Sequence, residues 1–213
     1  HLAEQQNPGF LSRMKRHKPW VRLKMAASLD GQTALQNGQS QWITGPEARA
    51  DGHAWRARAC AILTGIGTVL EDDPLLDLRL CADLGAAPRM PHLVIVDSKL
   101  ETPPSAKLFQ HSQPGALTPR QVWIYAAKDH PEKRAALEAL GAHITVLPNE
   151  QGKVDLSALM TDLAKREVNE LHVEAGHKLN GSLIREACVD EFLVYLAPKL
   201  LGIGQGMAHW GPL

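Results

Sequence analysis

A lysine interrupts an otherwise apolar run at Lys24, within Val21-Arg22-Leu23-Lys24-Met25-Ala26-Ala27-Ser28-Leu29-Asp30-Gly31. Burying an ammonium without a partner is expensive, so Lys24 either reaches solvent from an edge strand or serves chemistry at the strand's end. The Asp-Gly turn that follows brings backbone close to whatever sits above it. A second apolar run ends in Thr64-Gly65-Ile66-Gly67-Thr68. Exposed amides in such a turn cradle phosphate where a helix begins. As a dinucleotide fingerprint it is incomplete, because Leu70 stands where the third glycine of G-x-G-x-x-G belongs. A third run, Leu171-His172-Val173-Glu174, leads into Ala175-Gly176-His177-Lys178-Leu179-Asn180-Gly181-Ser182. Small residues at 175, 176 and 181 leave room for a pyrophosphate at a helix start. Glu174 is then placed to accept a sugar hydroxyl or relay a proton; otherwise it is a strand-end charge in water.

Arg49 and Arg56 are seven apart, on one helix face, where a guanidinium clamps phosphate or simply lies in solvent. Thr44 and Glu47 have capping-box spacing around Pro46. His172-Val173-Glu174 matches half of a zinc deaminase signature, but no P-C-x-x-C follows to complete the ligand set. No H-E-x-x-H and no G-K-[ST] loop occurs, so neither a metal site nor triphosphate chemistry is expected.

These positions matter only if an architecture brings them together. Strands are expected at Val21 to Ala27, Ala61 to Gly65, Leu93 to Asp97, Val122 to Ala126, Ile144 to Leu147, Glu170 to Glu174 and Phe192 to Ala197. Helical patterns fall between them at Pro46 to Cys60, Pro131 to Leu140, Leu156 to Arg166 and Asn180 to Ala187. Alternation of this kind implies an α/β fold, with a mostly parallel central sheet and helices on both faces. In such sheets ligands collect beyond the carboxyl ends of the strands, where all three runs end. Residues 83 to 92 and 98 to 120 read as surface loops, and Gly202 to Gly206 as flexible by composition.

With 213 residues, 44% hydrophobic and 22% charged, one domain with a sizeable core is expected. Twenty-three basic residues balance 23 acidic ones, which argues against nucleic acid or an anionic membrane as partner. The basic run Arg13 to Lys18 reads as a solvated lead-in. Three cysteines, widely spaced, suggest a reducing compartment, and no spanning segment or signal is present, which points to a cytoplasmic protein.

Pro19 to Gly31, Ser40-Gln41-Trp42-Ile43-Thr44, Ile62 to Pro74, Val173-Glu174-Ala175-Gly176 and Ala197-Pro198-Lys199-Leu200-Leu201-Gly202 together resemble the pyrimidine reductase of riboflavin biosynthesis, in the family's order. The resemblance implies a dihydrofolate-reductase-like fold and NADPH as cofactor. The implied reaction is reduction of the ribosyl group of 5-amino-6-(5-phosphoribosylamino)uracil to the ribityl form. It implies substrate contacts at Ser40, Arg56, Leu76, Arg79 and Glu174, with Arg56 and Arg79 on the phosphate and Lys24 beside the ribose. Cofactor contacts are implied at Ala27, Trp42, Thr68, Asp72, Ser98 and the loop Gly176, His177, Lys178, Leu179, Asn180, Gly181 and Ser182. Lys24 and Glu174 are the candidate catalytic residues, with Asp30 a weaker third. Asn7-Pro8-Gly9-Phe10 resembles the junction to an upstream zinc deaminase, so residues 1–18 are expected to be an inter-domain segment and 19–213 the reductase domain, as part of a multifunctional enzyme. Alanine at 175 replaces a glycine of some members, and against the family's pattern the final strands usual after Ala197 to Gly202 are expected to be missing, which bears on an expected homodimer. A pterin or folate reductase of the same fold and a non-catalytic assembly domain are the competing readings.

Overall fold

The computed structural model describes residues 6–37, 43–78, 89–110 and 120–209. The strands among the described residues are β1 (Trp20–Ser28), β2 (Gln32–Leu35), β3 (Ala61–Gly65), β4 (His92–Val96), β5 (Val122–Ala126), β6 (Ala142–Val146), β7 (Glu170–Val173), β8 (Glu191–Ala197) and β9 (Gly204–Gly206). The α-helices among the described residues are α1 (Pro8–Arg16), α2 (Pro46–Arg58), α3 (Ile66–Asp72), α4 (Pro131–Glu138), α5 (Leu156–Lys165) and α6 (His177–Arg185). Seven strands make one sheet in the order β6-β5-β4-β3-β7-β1-β8, and every pairing in it is parallel. All seven strands therefore end on the same edge. The expected strands lie within two residues of the observed ones, because parallel strands buried on both faces read as nearly unbroken apolar runs.

Alternation along the strands divides the core in two. Leu23, Leu63, Val94, Trp123, Leu171 and Val173 face α5 and α6, whose Leu159, Leu163 and Leu183 complete one cluster. Ile62, Leu93, Ile95 and Ile124 face the other way, onto Val69 of α3 and Leu137 of α4. Helix α5 starts on Asp155, whose carboxylate accepts from Ala158 N–H. Such a cap is worth about 1 kcal/mol.

Several expectations need correction. The lead-in is not simply solvated: Asn7 caps α1 and Pro8 opens it. Arg13 donates to Asn169 at 2.7 Å, and Arg16 pairs with Asp190 at 2.6 Å. The basic run is thus partly consumed in fastening α1 to the ends of neighbouring elements. Residues 98 to 110 are not merely a surface loop, since Leu100, Ala106 and Leu108 are buried in the second cluster. Asp97, fully buried, holds this segment by accepting from Glu101 N–H and from the N–H and hydroxyl of Thr102. The capping box does not form. The helix begins at Pro46, so Gly45 is the N-cap and Thr44 lies one position outside, offering its carbonyl to Arg49 at 2.8 Å. Finally, Gly204–Gly206 is a strand, paired antiparallel with β2 in a separate ribbon. A Cβ on Gly204 would stand 2.2 Å from the Ala34 carbonyl oxygen, so glycine serves close approach there.

Candidate active site at the strand ends

Three strands position the site. Lys24 lies on β1, which is internal and not an edge, between β7 and β8. Its ammonium stands 5.9 Å from the Tyr195 ring on β8, a cation held over an aromatic face. Glu174 follows β7, and its N–H donates to Leu63 O of β3 at 2.9 Å, so the sheet ladder fixes its backbone. Alternation puts Arg22, Lys24, His172 and Glu174 on the sheet face that α2 covers. Arg22 is stacked 4.1 Å from the Trp55 ring and paired with Glu170 and Glu191.

Arg56, on the last turn of α2, meets Glu174 in a two-pronged pair: Nε donates to Oε1, and Nη2 to Oε2 at 2.8 Å. Its remaining Nη1 donates to the Asp77 carbonyl at 3.0 Å. Planar guanidinium and carboxylate match in this geometry, and both side chains are only 15% exposed. Burial alone would push the carboxyl up. The Arg56 bonds and charge, then His172 and Lys24, outweigh it and hold Glu174 well below the usual carboxylate range. Glu174 is therefore a carboxylate at neutral pH: it can accept a proton or hydrogen bond and is a poor donor. The expected phosphate grip of Arg56 is not what the structure displays, because its fork is turned to Glu174.

The glycine turns of β3 and β7 are neighbours. Gly65 caps α3, Gly176 caps α6, and neither cap has a side-chain hydrogen bond. A Cβ on Gly65 would lie 3.1 Å from Leu179, which places the two turns side by side. Thr68 sits in α3 and exposed Asp72 at its end. Ser98, after β4, accepts from Val154 N–H and by its carbonyl from Ala127 and Lys128. Ala27 is buried at the end of β1. These residues share the carboxyl edge of the sheet.

Not every expected contact is available as imagined. The run Gly176 to Ser182 is a helix from His177 onward, not a loop. Asn180 donates to Met207 O at 2.9 Å, and a Cβ on Gly181 would fall 2.0 Å from the His209 carbonyl oxygen. The chain's own segment 207–209 thus occupies the space that Gly181 leaves, and Ser182 is engaged with Lys178 O and Arg185. Only Gly176 to Leu179 stand at the helix start. Leu76 is buried in the core at φ 49°, and its carbonyl accepts from Arg120. Asp30 is a tie, not an acid: it accepts from Ser28 Oγ and from Leu201 and Gly202 N–H, which lower it to about 2. Ser40, Trp42 and Arg79 lie outside the described residues. Sequence reasoning passed over Tyr195, whose hydroxyl donates to Asp51 at 2.5 Å, and weighed His172, beneath Glu174, only as half of an incomplete zinc signature. A polar residue at alternate positions of an apolar strand was the available signal.

A pocket of about 450 Å³ opens beside these groups, between Thr44, Pro46 and Arg49 at the start of α2 and Tyr195, Ala197 and Lys199 at the end of β8. Among the described residues there is no group of three His, Cys, Asp or Glu placed to hold a metal, and no helix long and apolar enough to cross a membrane.

Residues 19–211 match the RibD C-terminal domain family. The chain is 40% identical over 209 residues to the riboflavin biosynthesis protein RibD of Escherichia coli, covering 94% of this chain and 54% of that protein. The Haemophilus influenzae RibD is 41% identical over 208 residues, covering 94% and 52%. Among solved structures, Acinetobacter baumannii RibD superposes with a TM-score of 0.82 at 33% identity, over 97% of this chain and 54% of that one. A riboflavin biosynthesis reductase of Saccharomyces cerevisiae shares the fold, with a TM-score of 0.69 at 19% identity over 98% and 88%. The chain spans about half the length of the curated relatives it matches.

Proposed function

Because the chain belongs to the RibD C-terminal domain family, we propose that it is an NADPH-dependent oxidoreductase of riboflavin biosynthesis, reducing the ribosyl group of 5-amino-6-(5-phosphoribosylamino)uracil to ribityl. The observation that carries this reading is the convergence, on one sheet edge, of Lys24 and the Arg56–Glu174 pair with two glycine turns whose caps carry no side-chain hydrogen bond. The turns fit a dinucleotide: the start of α6 has no side-chain cap, and among the described residues no atom beyond the chain neighbours lies within 4 Å of a Cβ built on Gly176. Gly176, His177 and Lys178 would hold the pyrophosphate, with Thr68, Asp72 and Ser98 alongside. NADPH, when bound, supplies the hydride.

The chain's own residues then divide the work on the sugar. Glu174, kept ionised, accepts a hydrogen bond from a ribose hydroxyl and orients the ring. Lys24, a cation within the field of that carboxylate, polarises or protonates the ring oxygen as the anomeric carbon opens. Ser40 and Arg79 complete the substrate contacts, Arg79 on the phosphate, and Trp42 and Ala27 border the cofactor. Arg56 reaches the phosphate only by exchanging Glu174 for it. That the chain spans about half of its longer relatives supports an upstream deaminase domain joined near residues 1–18; a homodimer and a cytoplasmic setting belong to the same proposal.

The test is NADPH oxidation followed in parallel with the phosphoribosylaminouracil and with dihydrofolate. Turnover confined to the first supports the proposal; turnover confined to dihydrofolate, or none with either, removes it. Lys24→Ala and Glu174→Gln are expected to lower turnover by about 10²-fold or more. Wild-type rates in both would take these two residues out of the mechanism.

A further inference from the structure

His172 lies on β7, in register with Arg22 of β1 and Ile62 of β3, under α2. It is fully buried. Neither ring nitrogen has a hydrogen-bond partner among the described residues. An imidazole that only filled space here would be better replaced by an apolar side chain, as Ile62 fills the adjoining position, because an unsatisfied buried polar group is costly. One contact gives it a reason: Nε2 stands 3.4 Å from Glu174 Oε1. That is longer than a full N–H···O bond, and Oε1 already takes Arg56 Nε.

The arrangement describes a carboxylate with one partner engaged and a second in waiting. Arg56 is both the clamp of Glu174 and the expected phosphate contact, and its fork cannot serve both at once. When it turns to an anion, Glu174 would be left buried and charged. Lys24 faces the carboxylate from β1, and His172 lies directly below it on its own strand. We propose that His172 is a positioning residue, which takes over Glu174 through Nε2–H when Arg56 turns to the substrate's phosphate. The contact then shortens to a full hydrogen bond, and the carboxylate keeps its place and orientation beside the ribose. No covalent step is involved. The inference rests on the function proposed above and on Arg56 as an anion contact, yet it makes a claim about one nitrogen that is read without turnover.

The experiment labels histidine with ¹⁵N in the wild-type chain and follows His172 by two-bond proton–nitrogen correlation as the phosphoribosylaminouracil, and separately inorganic phosphate, is added. Nε2 is expected to carry a proton and to shift on saturation with either. A bare Nε2, or one that does not move while ligand binds, overturns the proposal. The kinetic arm compares His172→Leu with His172→Gln, whose amide can place an N–H where Nε2 stands. His172→Leu should lower kcat by about 10- to 100-fold with little change in KM, and His172→Gln should recover most of that loss. Equal losses in the two variants, or wild-type kcat in His172→Leu, overturn it. If His172→Leu does not fold, the spectrum of the wild-type chain decides. If the wild-type chain reduces nothing, the proposed function fails, while the phosphate titration still decides the role of His172.

Discussion

The two halves of the sheet hide different chemistry under their helices. From β3 to β5 both faces are mainly apolar: Ile62, Leu93, Ile95 and Ile124 on one side, Leu63, Val94 and Trp123 on the other. From β7 to β8 only the face under α5 and α6 is apolar. The face under α2 carries Arg22, Lys24, His172, Glu174 and Tyr195. The first half is held by area and shape, where volume-conserving apolar changes usually cost less than about 1.5 kcal/mol. The second is held by particular partners, each indispensable to the other, since a buried charge that loses its mate costs more than the pair contributed. That dependence is also what lets the second half keep a carboxylate ionised next to a lysine, away from bulk water.

The sharpest way to break the contrast is Arg56→Met, which keeps bulk and removes the fork. It should cost about 3–5 kcal/mol at neutral pH, the range for breaking one side of a buried pair. The pH dependence identifies the cause. In the wild-type chain Glu174 titrates well below its ordinary value of 4.5, so its stabilisation is present above that value and lost only as the pH falls through the lower, folded one. Without Arg56, His172 and Lys24 offset burial only in part, so burial, the largest influence, moves the carboxyl up from its wild-type position. Lowering the pH then neutralises the stranded charge, and the gap between variant and wild type should narrow. Urea unfolding at neutral and mildly acid pH reads this directly. A gap that stays constant would mean that Glu174 is not the group left stranded.

Ile124→Ala is the matching change in the apolar half, on a fully buried residue of β5. A loss of about 2–5 kcal/mol is expected from the removed methylenes and the cavity. It should be the same at both pH values and leave KM for the substrate unchanged in the fraction that remains folded. A pH-dependent loss here would erase the distinction between the halves.

The contrast also explains what could be read from the chain beforehand. The strands of the apolar half are short unbroken runs such as Leu93-Val94-Ile95-Val96 and Val122-Trp123-Ile124, so their pattern alone places them. Lys24 and Glu174 were visible for the opposite reason, as charges inside such runs. Their partners were not visible. Arg56 is one of three arginines in α2, and nothing local says that it reaches across to Glu174, 118 residues on. Helix α3 was hidden because seven residues led by Gly65-Ile66-Gly67 read as a turn. Helix α1 was hidden by its basic surface, whose role is set by Asn169 and Asp190 far along the chain. Gly181 reads from the sequence as room for a pyrophosphate, but the His209 carbonyl of the same chain fills that space.

The mildest probe sits where the charged face opens to the pocket. Tyr195 contributes two separable things: its ring under the Lys24 ammonium, and a hydroxyl that donates to Asp51 on α2. Tyr195→Phe keeps the first and deletes the second. Asp51 is exposed and water can replace the lost donor, so the cost should be about 0.5–1.5 kcal/mol and nearer the lower figure. Turnover should stay within about threefold of wild type, because a phenyl face still attracts a cation. Tyr195→Leu removes the ring as well, and should lower turnover further without destabilising the fold in proportion. If Phe and Leu behave alike in the NADPH assay, Lys24 is not held by the aromatic face. Its placement would then come from Glu174 alone, and the charged half of the sheet would have one centre where the geometry implies two.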